Sequence, residues 1–208
     1  MASRLTLTLA VTGASGAALA RALLALLEGD DRVGHIDLVA SPHGLRVARE
    51  ELDLPEGSLD QFPQRLLGAP APKTQVHDDR NIGANIASGS YPSLGMIVAP
   101  CSMGTCAAIA HGLADSLIER AADVCLKEGR RLLLVVRETP FNRIHLRNLL
   151  AADEAGATIC PLTPAFYDRA LSPDAMLQQF AARLLDHLGL PQPSVFQWQG
   201  QIPRPGPA

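Results

Sequence analysis

Arg137 and Glu138 stand side by side after Arg131–Val136 (RLLLVV), the clearest strand-like run of the chain. Such continuous apolar runs suit the interior strands of a parallel sheet. A charged pair at the carboxyl end of one is costly to desolvate, so it is seldom there for stability. Their position points to a functional role, although a salt-bridged loop would contain the same two residues. Thr12-Gly13-Ala14-Ser15-Gly16-Ala17 follows another apolar segment. Its small residues let backbone N–H groups close on an anion at a helix N-terminus, and an ordinary tight turn has a similar composition. Ala87-Ser88-Gly89-Ser90 precedes Ala99-Pro100-Cys101-Ser102-Met103-Gly104-Thr105, where two hydroxyls and an open glycine could hold a phosphate or the edge of a heterocycle; plain N-capping is the alternative. In Pro164-Ala165-Phe166-Tyr167 the phenol could donate to a phosphate or lend its ring face to a cation, or the aromatic pair could simply be core.

Several familiar patterns are missing. The first turn is not GxGxxG, and Ser41 rather than an acidic residue closes the second strand-like segment. Neither Tyr91 nor Tyr167 has the lysine four positions on that a short-chain dehydrogenase needs, and Ala17 spoils a GxSxG nucleophile elbow. The 6 histidines are scattered, and the 4 cysteines form no CxxC pair, so no metal site is expected.

The elements that must position these turns alternate. Strands are predicted at Leu5–Thr12, His35–Ala40, Gly95–Ala99 (ended by Pro100), Arg131–Val136 and Ala157–Cys160, with a hint at Thr74–His77. Helices are predicted at Ala17–Glu28, from Ser41-Pro42 through Leu52, through Ala110, and at about Leu117–Lys127, Ile144–Ala155 and Pro173–Leu188. Residues 53–90 are largely illegible. Alternation of this kind implies a parallel, doubly wound αβα three-layer sandwich, Rossmann-like or flavodoxin-type, with ligands at the carboxyl ends of the strands.

The chain has 208 residues, 47% of them hydrophobic, enough for one buried domain (1–190) followed by a tail (191–208) with five prolines. A formal charge of −3 and 4% aromatic residues disfavour nucleic-acid binding. No run approaches a membrane span, so a cytoplasmic location is expected.

Taken together, GASGA (13–17), ASGS (87–90), APCSMGT (99–105), LIERAADVCLKE (117–128), RETPFNRIHLRNLL (137–150) and PAFY (164–167) resemble the UbiX-type flavin prenyltransferase family, from about residue 5 to about residue 190. The resemblance implies non-covalent FMN binding and a homo-oligomer, commonly a dodecamer, with active sites between subunits. It implies a metal-independent reaction in which the N5 and the adjacent ring carbon of reduced FMN receive a dimethylallyl group from dimethylallyl phosphate. The prenylated FMN serves UbiD-type decarboxylases. By the same resemblance, Gly13, Ala14, Ser15, Ser41, Ser102, Met103, Gly104, Thr105 and Arg137 contact FMN, and Lys127, Tyr167 and Arg183 bind the phosphate. Ser15, Glu51, Arg120, Lys127 and Glu138 are catalytic, with Glu138 the proton carrier and Trp198 near the prenyl pocket. Arg120, Lys127 and Arg183 would equally suit solvated helix faces with local ion pairs. Val136, Cys106 and Arg147 depart from the usual proline, leucine and glutamate. Two other readings are an FMN-dependent cysteine decarboxylase, which needs an early catalytic histidine and a PxMN-type motif, and a non-catalytic FMN carrier.

Overall fold

A computed structural model describes residues 4–166, 172–193 and 195. Six strands, β1 (Leu5–Val11), β2 (Val33–Ala40), β3 (Thr74–Asp78), β4 (Gly95–Cys101), β5 (Arg131–Val136) and β6 (Thr158–Ile159), form one parallel sheet in the order β3-β2-β1-β4-β5-β6. Seven helices cover its faces: α1 (Ala17–Gly29), α2 (Pro42–Leu52), α3 (Phe62–Leu67), α4 (Met103–Ala110), α5 (Leu117–Lys127), α6 (Arg143–Glu154) and α7 (Pro173–Leu188). The expected three-layer Rossmann-like sandwich is therefore what these residues build.

The strands read as they do because both faces are buried. Alternate residues of β1, β2, β4 and β5 point into two cores. One holds Leu7, Leu9, Ile36, Leu38, Ile97 and Leu133 under α1 and α7. The other holds Ala10, Val39, Met96, Val98, Leu132 and Leu134 under α4 and α5. Strand order reverses between β1 and β4, and the crevice at such a switch point is where doubly wound sheets take ligands.

Two local expectations change. Pro100 does not end its strand: β4 continues to Cys101, with a register shift between Val98 and Cys101. Proline cannot donate to the ladder, and its carbonyl is used instead, by Thr12. In the segment that composition left illegible, single-turn helices at Leu59–Gln61 and Asn85–Ala87 flank α3 and β3. Phe62 and Leu66 of α3 are buried, but six residues are too few to show a helical period. Among the described residues no helix is long and apolar enough to cross a membrane.

Candidate active site

The carboxyl edge of the sheet at β1 and β4 is stitched together by one side chain. Thr12 Oγ1 donates to the Pro100 carbonyl at 2.8 Å and accepts from the Ser102 N–H at 2.8 Å. It is almost fully buried. Two turns far apart in sequence are thereby fixed against each other. Sequence reasoning quoted Thr12 without a role; a lone buried hydroxyl ending an apolar strand was the available signal.

The next shell is closeness of backbone. A Cβ on Gly13 would stand 2.6 Å from His43 Cβ, and one on Gly44 would collide with the Val11 carbonyl. Both glycines let the start of α2 lie on the end of β1. Ser41 links the same two elements: its N–H donates to the Val11 carbonyl at 3.0 Å, and its Oγ accepts from Gly44 N–H at 3.0 Å, capping α2. Gly16 takes φ 128, a region that disfavours residues with a Cβ, and caps α1 without a side-chain bond.

The N–H groups at that helix start are served from elsewhere. Glu51, near the end of α2, accepts from Gly16 N–H at 3.0 Å and from Ala17 N–H at 2.8 Å. The turn does cradle an anion as its composition suggested, and here the anion is a protein carboxylate. Burial alone would push the Glu51 carboxyl up. The Ser15 hydroxyl, the Gly16 and Ala17 N–H groups and the Arg137 charge outweigh that and hold it below its ordinary value. Ser15 of the β1–α1 turn, Glu51 of helix α2 and Arg137 of the β5–α6 turn thus share one electrostatic site.

Arg137 and Glu138 leave β5 at this same edge, and the Arg137 N–H reaches the Cys101 carbonyl at 3.4 Å. Both are exposed. Within one chain neither charge is desolvated, because the strand ends just before the pair and both side chains face solvent. Among the described residues, Glu138 Oε1 accepts from its neighbour Thr139 N–H alone, at 3.0 Å. Ser102 caps α4, its Oγ accepting from Thr105 N–H at 3.2 Å and lying 3.0 Å from the Thr105 hydroxyl. Met103 is largely buried beneath this turn, and a Cβ on the exposed Gly104 would meet nothing nearer than Ser102 Oγ at 3.9 Å. Ala14 is buried against the core.

The expected phosphate ligands lie elsewhere. Arg120 and Lys127 are on α5, which starts against Asp79, just past the end of β3 (Leu117 N–H to the Asp79 carbonyl, 2.7 Å), and ends at Lys127 by the amino edge, before β5 begins. Six strand residues at about 3.3 Å each then separate that edge from Glu138, roughly 20 Å. Arg120 Nε donates to the Ala87 carbonyl at 3.3 Å, and its Nη1 donates to Asp123 at 2.7 Å. Lys127 pairs with Glu128, and Arg183 Nη1 lies 3.7 Å from Asp186 Oδ2. The ASGS turn sits with Arg120 and Lys127 and not at the carboxyl edge, because it precedes β4. Arg183 is on α7, over the opposite face of the sheet. Phe166 is 78% exposed, which removes the core-pair reading for it, while Tyr167 and Trp198 lie outside the described residues.

The four cysteines are free thiols. Burial pushes Cys106 and Cys125 up to about 11 and Cys101 and Cys160 above their ordinary value, which suits packing and not nucleophilic work.

The Flavoprotein family profile matches residues 1–178. The flavin prenyltransferase UbiX of Deinococcus radiodurans is 44% identical over 193 residues, 93% of each chain. This chain belongs to the UbiX flavin prenyltransferase family. Two solved relatives agree in fold and length. AnUbiX (PadA1), crystallised with FMN and dimethylallyl pyrophosphate, is 39% identical with a TM-score of 0.82, covering 96% of this chain and 100% of that one. A dodecameric FMN-dependent Ubix-like decarboxylase from Escherichia coli O157:H7 is 40% identical with a TM-score of 0.82, covering 94% and 100%. In this UbiX-family chain the predicted residues fall into two groups: Ser15, Glu51, Arg137 and Glu138 at the carboxyl edge, and Arg120 and Lys127 beside residues 87–90.

Proposed function

We propose that this chain transfers a dimethylallyl group from dimethylallyl phosphate to reduced FMN, without a metal, and that its product serves UbiD-type decarboxylases. The observation that carries the reading is the convergence of Ser15, Glu51 and Arg137 on the N-terminus of α1, with Glu138 leaving β5 at the same edge of the sheet. The crevice fits a flavin: Gly13 is closed to any side chain by His43 and Gly104 is open, while Thr12 holds the two turns at a fixed separation. Gly13–Ser15, Ser41, Ser102–Thr105 and Arg137 would hold FMN there. The reduced flavin, when bound, supplies the nucleophilic nitrogen and the ring carbon that receive the prenyl unit.

The chain's own residues supply the rest. A phosphate leaving group needs fixed cations aimed at its developing charge, and Arg120, Lys127 and Arg183, with Tyr167, are the groups for that work. Glu138, exposed and bonded to Thr139 N–H alone among the described residues, takes a proton and passes it to the departing phosphate. Glu51 orients Ser15 through the hydrogen bond between them.

Because Lys127 and Glu138 flank opposite ends of β5, a second copy must bring its cations to the crevice. Helix α6, which starts beside the Arg137–Asn142 turn, supports such assembly: Ile144, Leu146 and Leu150 are each more than half exposed, as apolar residues at an interface are before assembly. We place the enzyme in the cytoplasm as a homo-oligomer, with the dodecamer as its expected form.

The test is an anaerobic incubation with reduced FMN, a chelator and either dimethylallyl phosphate or the diphosphate. Mass spectrometry should find flavin carrying one prenyl unit. Tight FMN binding with no prenylated product from either donor would leave a flavin carrier and remove the transferase.

A further inference from the structure

A cavity of about 330 Å³ opens between α2, the connection 53–61 and α3. Its size is at the lower end for pockets that take small ligands. Leu45, Leu54 and Phe62 make an apolar floor, the last two of them buried, and Arg46, Arg49 and Arg65 stand around it. On α2 the lining residues Pro42, Leu45, Arg46 and Arg49 fall on one stripe at helical spacing. Gly44, Ala48 and Glu51 fall on the opposite stripe, toward β1 and the start of α1. The cavity is therefore a different place from the carboxyl-edge crevice. Most of its wall comes from the segment 53–67, which carries none of the motifs by which the family is recognised.

Arg65 is the anomaly in this wall. Its Nη1 donates to the Pro55 carbonyl at 2.8 Å, and its Nη2 donates to the Ser58 and Gly57 carbonyls at 2.7 and 3.2 Å. These bonds hold the loop, but they bring no negative charge to the guanidinium. Its Nε is the one buried side-chain donor among the described residues without a hydrogen-bond partner. A buried donor left over in this way calls for a partner from outside the chain, an ion or a water among them. A Cβ on Gly57 would stand 3.0 Å from that Nε, so the wall there is bare backbone. Of the charged residues lining the cavity, three are arginines and one, Glu56, is acidic. Glu56 Oε1 pairs with Arg49 Nη1 at 2.6 Å, and the Glu56 side chain is 84% exposed. Exposed ion pairs of that kind are weak, so another carboxylate can take the place of Glu56.

We propose that this cavity binds a small monocarboxylate with an apolar body, its carboxylate between Arg49 and Arg65 and its carbon chain over Leu45, Leu54 and Phe62. The match is one of charge and of surface together. A compact anion without a carbon chain would leave the floor uncovered, and a neutral alcohol would leave the arginine charges uncompensated. The inference goes beyond the transferase reading and does not depend on it, because none of the lining residues is assigned to flavin or to the prenyl donor.

Calorimetric titration of hexanoate into the full-length, FMN-loaded protein tests this, with hexanol as the neutral comparison. Hexanoate should bind with a Kd of about 0.1–1 mM, and hexanol at least about tenfold more weakly. Arg49→Ala should raise the Kd for hexanoate about tenfold, through loss of a charge-assisted hydrogen bond, and leave hexanol unchanged. Glu56→Gln should lower it about two- to threefold by removing the competing carboxylate, a gain that damage to the fold would not produce. Both variants should bind FMN as wild type does. Equal affinity for hexanoate and hexanol would overturn the proposal, since the arginines would then contribute nothing. Unchanged hexanoate binding in both variants would also overturn it, by placing the acid elsewhere, the carboxyl-edge crevice included. No saturable binding overturns it as well; if Arg49→Glu then breaks the assembly in sedimentation, a second copy of the chain covers the cavity instead.

Discussion

At the scale of single residues, Glu138 and Glu51 are two carboxylates at one edge with different work. Glu138 has one local hydrogen bond and faces solvent, so Glu138→Gln should leave FMN binding intact and reduce turnover by at least about a hundredfold, the usual contribution of a positioned proton carrier. Stopped-flow assay and flavin titration on the same preparation check both halves of that statement. Glu51 is bonded to the start of α1 and its native pKa is depressed. Its ionised form therefore stabilises the fold at pH above its ordinary value of 4.5, and that contribution is lost as pH falls through the lower native value. The difference in melting temperature between wild type and Glu51→Gln should be largest near neutrality and vanish in strong acid; a difference independent of pH would remove the charge from the explanation.

At the scale of elements, the crevice depends on β1 and β4 ending at a fixed offset. Thr12→Val keeps the volume of the side chain but leaves the Ser102 N–H without its acceptor. A buried group stripped of its partner costs about 1–3 kcal/mol, and at this chain length each kcal/mol is about 2–4 °C in Tm. Thr12→Val should therefore melt several degrees lower and bind FMN more weakly, measured by calorimetry and by flavin fluorescence. The same turn also requires glycine where α2 crosses β1, at positions 13 and 44.

At the scale of the whole molecule, the proposed reaction needs Lys127 and Glu138 in one site, and within one chain they stand beyond opposite ends of β5. Lys127→Ala and Glu138→Gln should each be inactive alone. Co-expressed, they should regain activity, since random mixing gives roughly a quarter of interfaces both intact residues. No recovery in verified mixed oligomers would place the reaction within one chain and reverse the reading of the interface.

The sequence by itself determined the alternation of strand and helix, the limits of Leu117–Lys127, Arg131–Val136 and Pro173–Leu188, and the family, because periodicity and ordered motifs are local properties. It also singled out the turns proposed to hold the ligands. Tertiary structure decided how those turns are distributed. Thr12 became a clasp only because Pro100 and Ser102 lie beside it across the β1–β4 switch. Glu51 became the ligand of α1 only because Gly13 and Gly44 allow α2 to close on β1. The ASGS turn, which precedes β4, lies beside Arg120 and Lys127. Such pairings depend on contacts between residues dozens of positions apart, and no spacing along the chain encodes which edge of a sheet a side chain will reach.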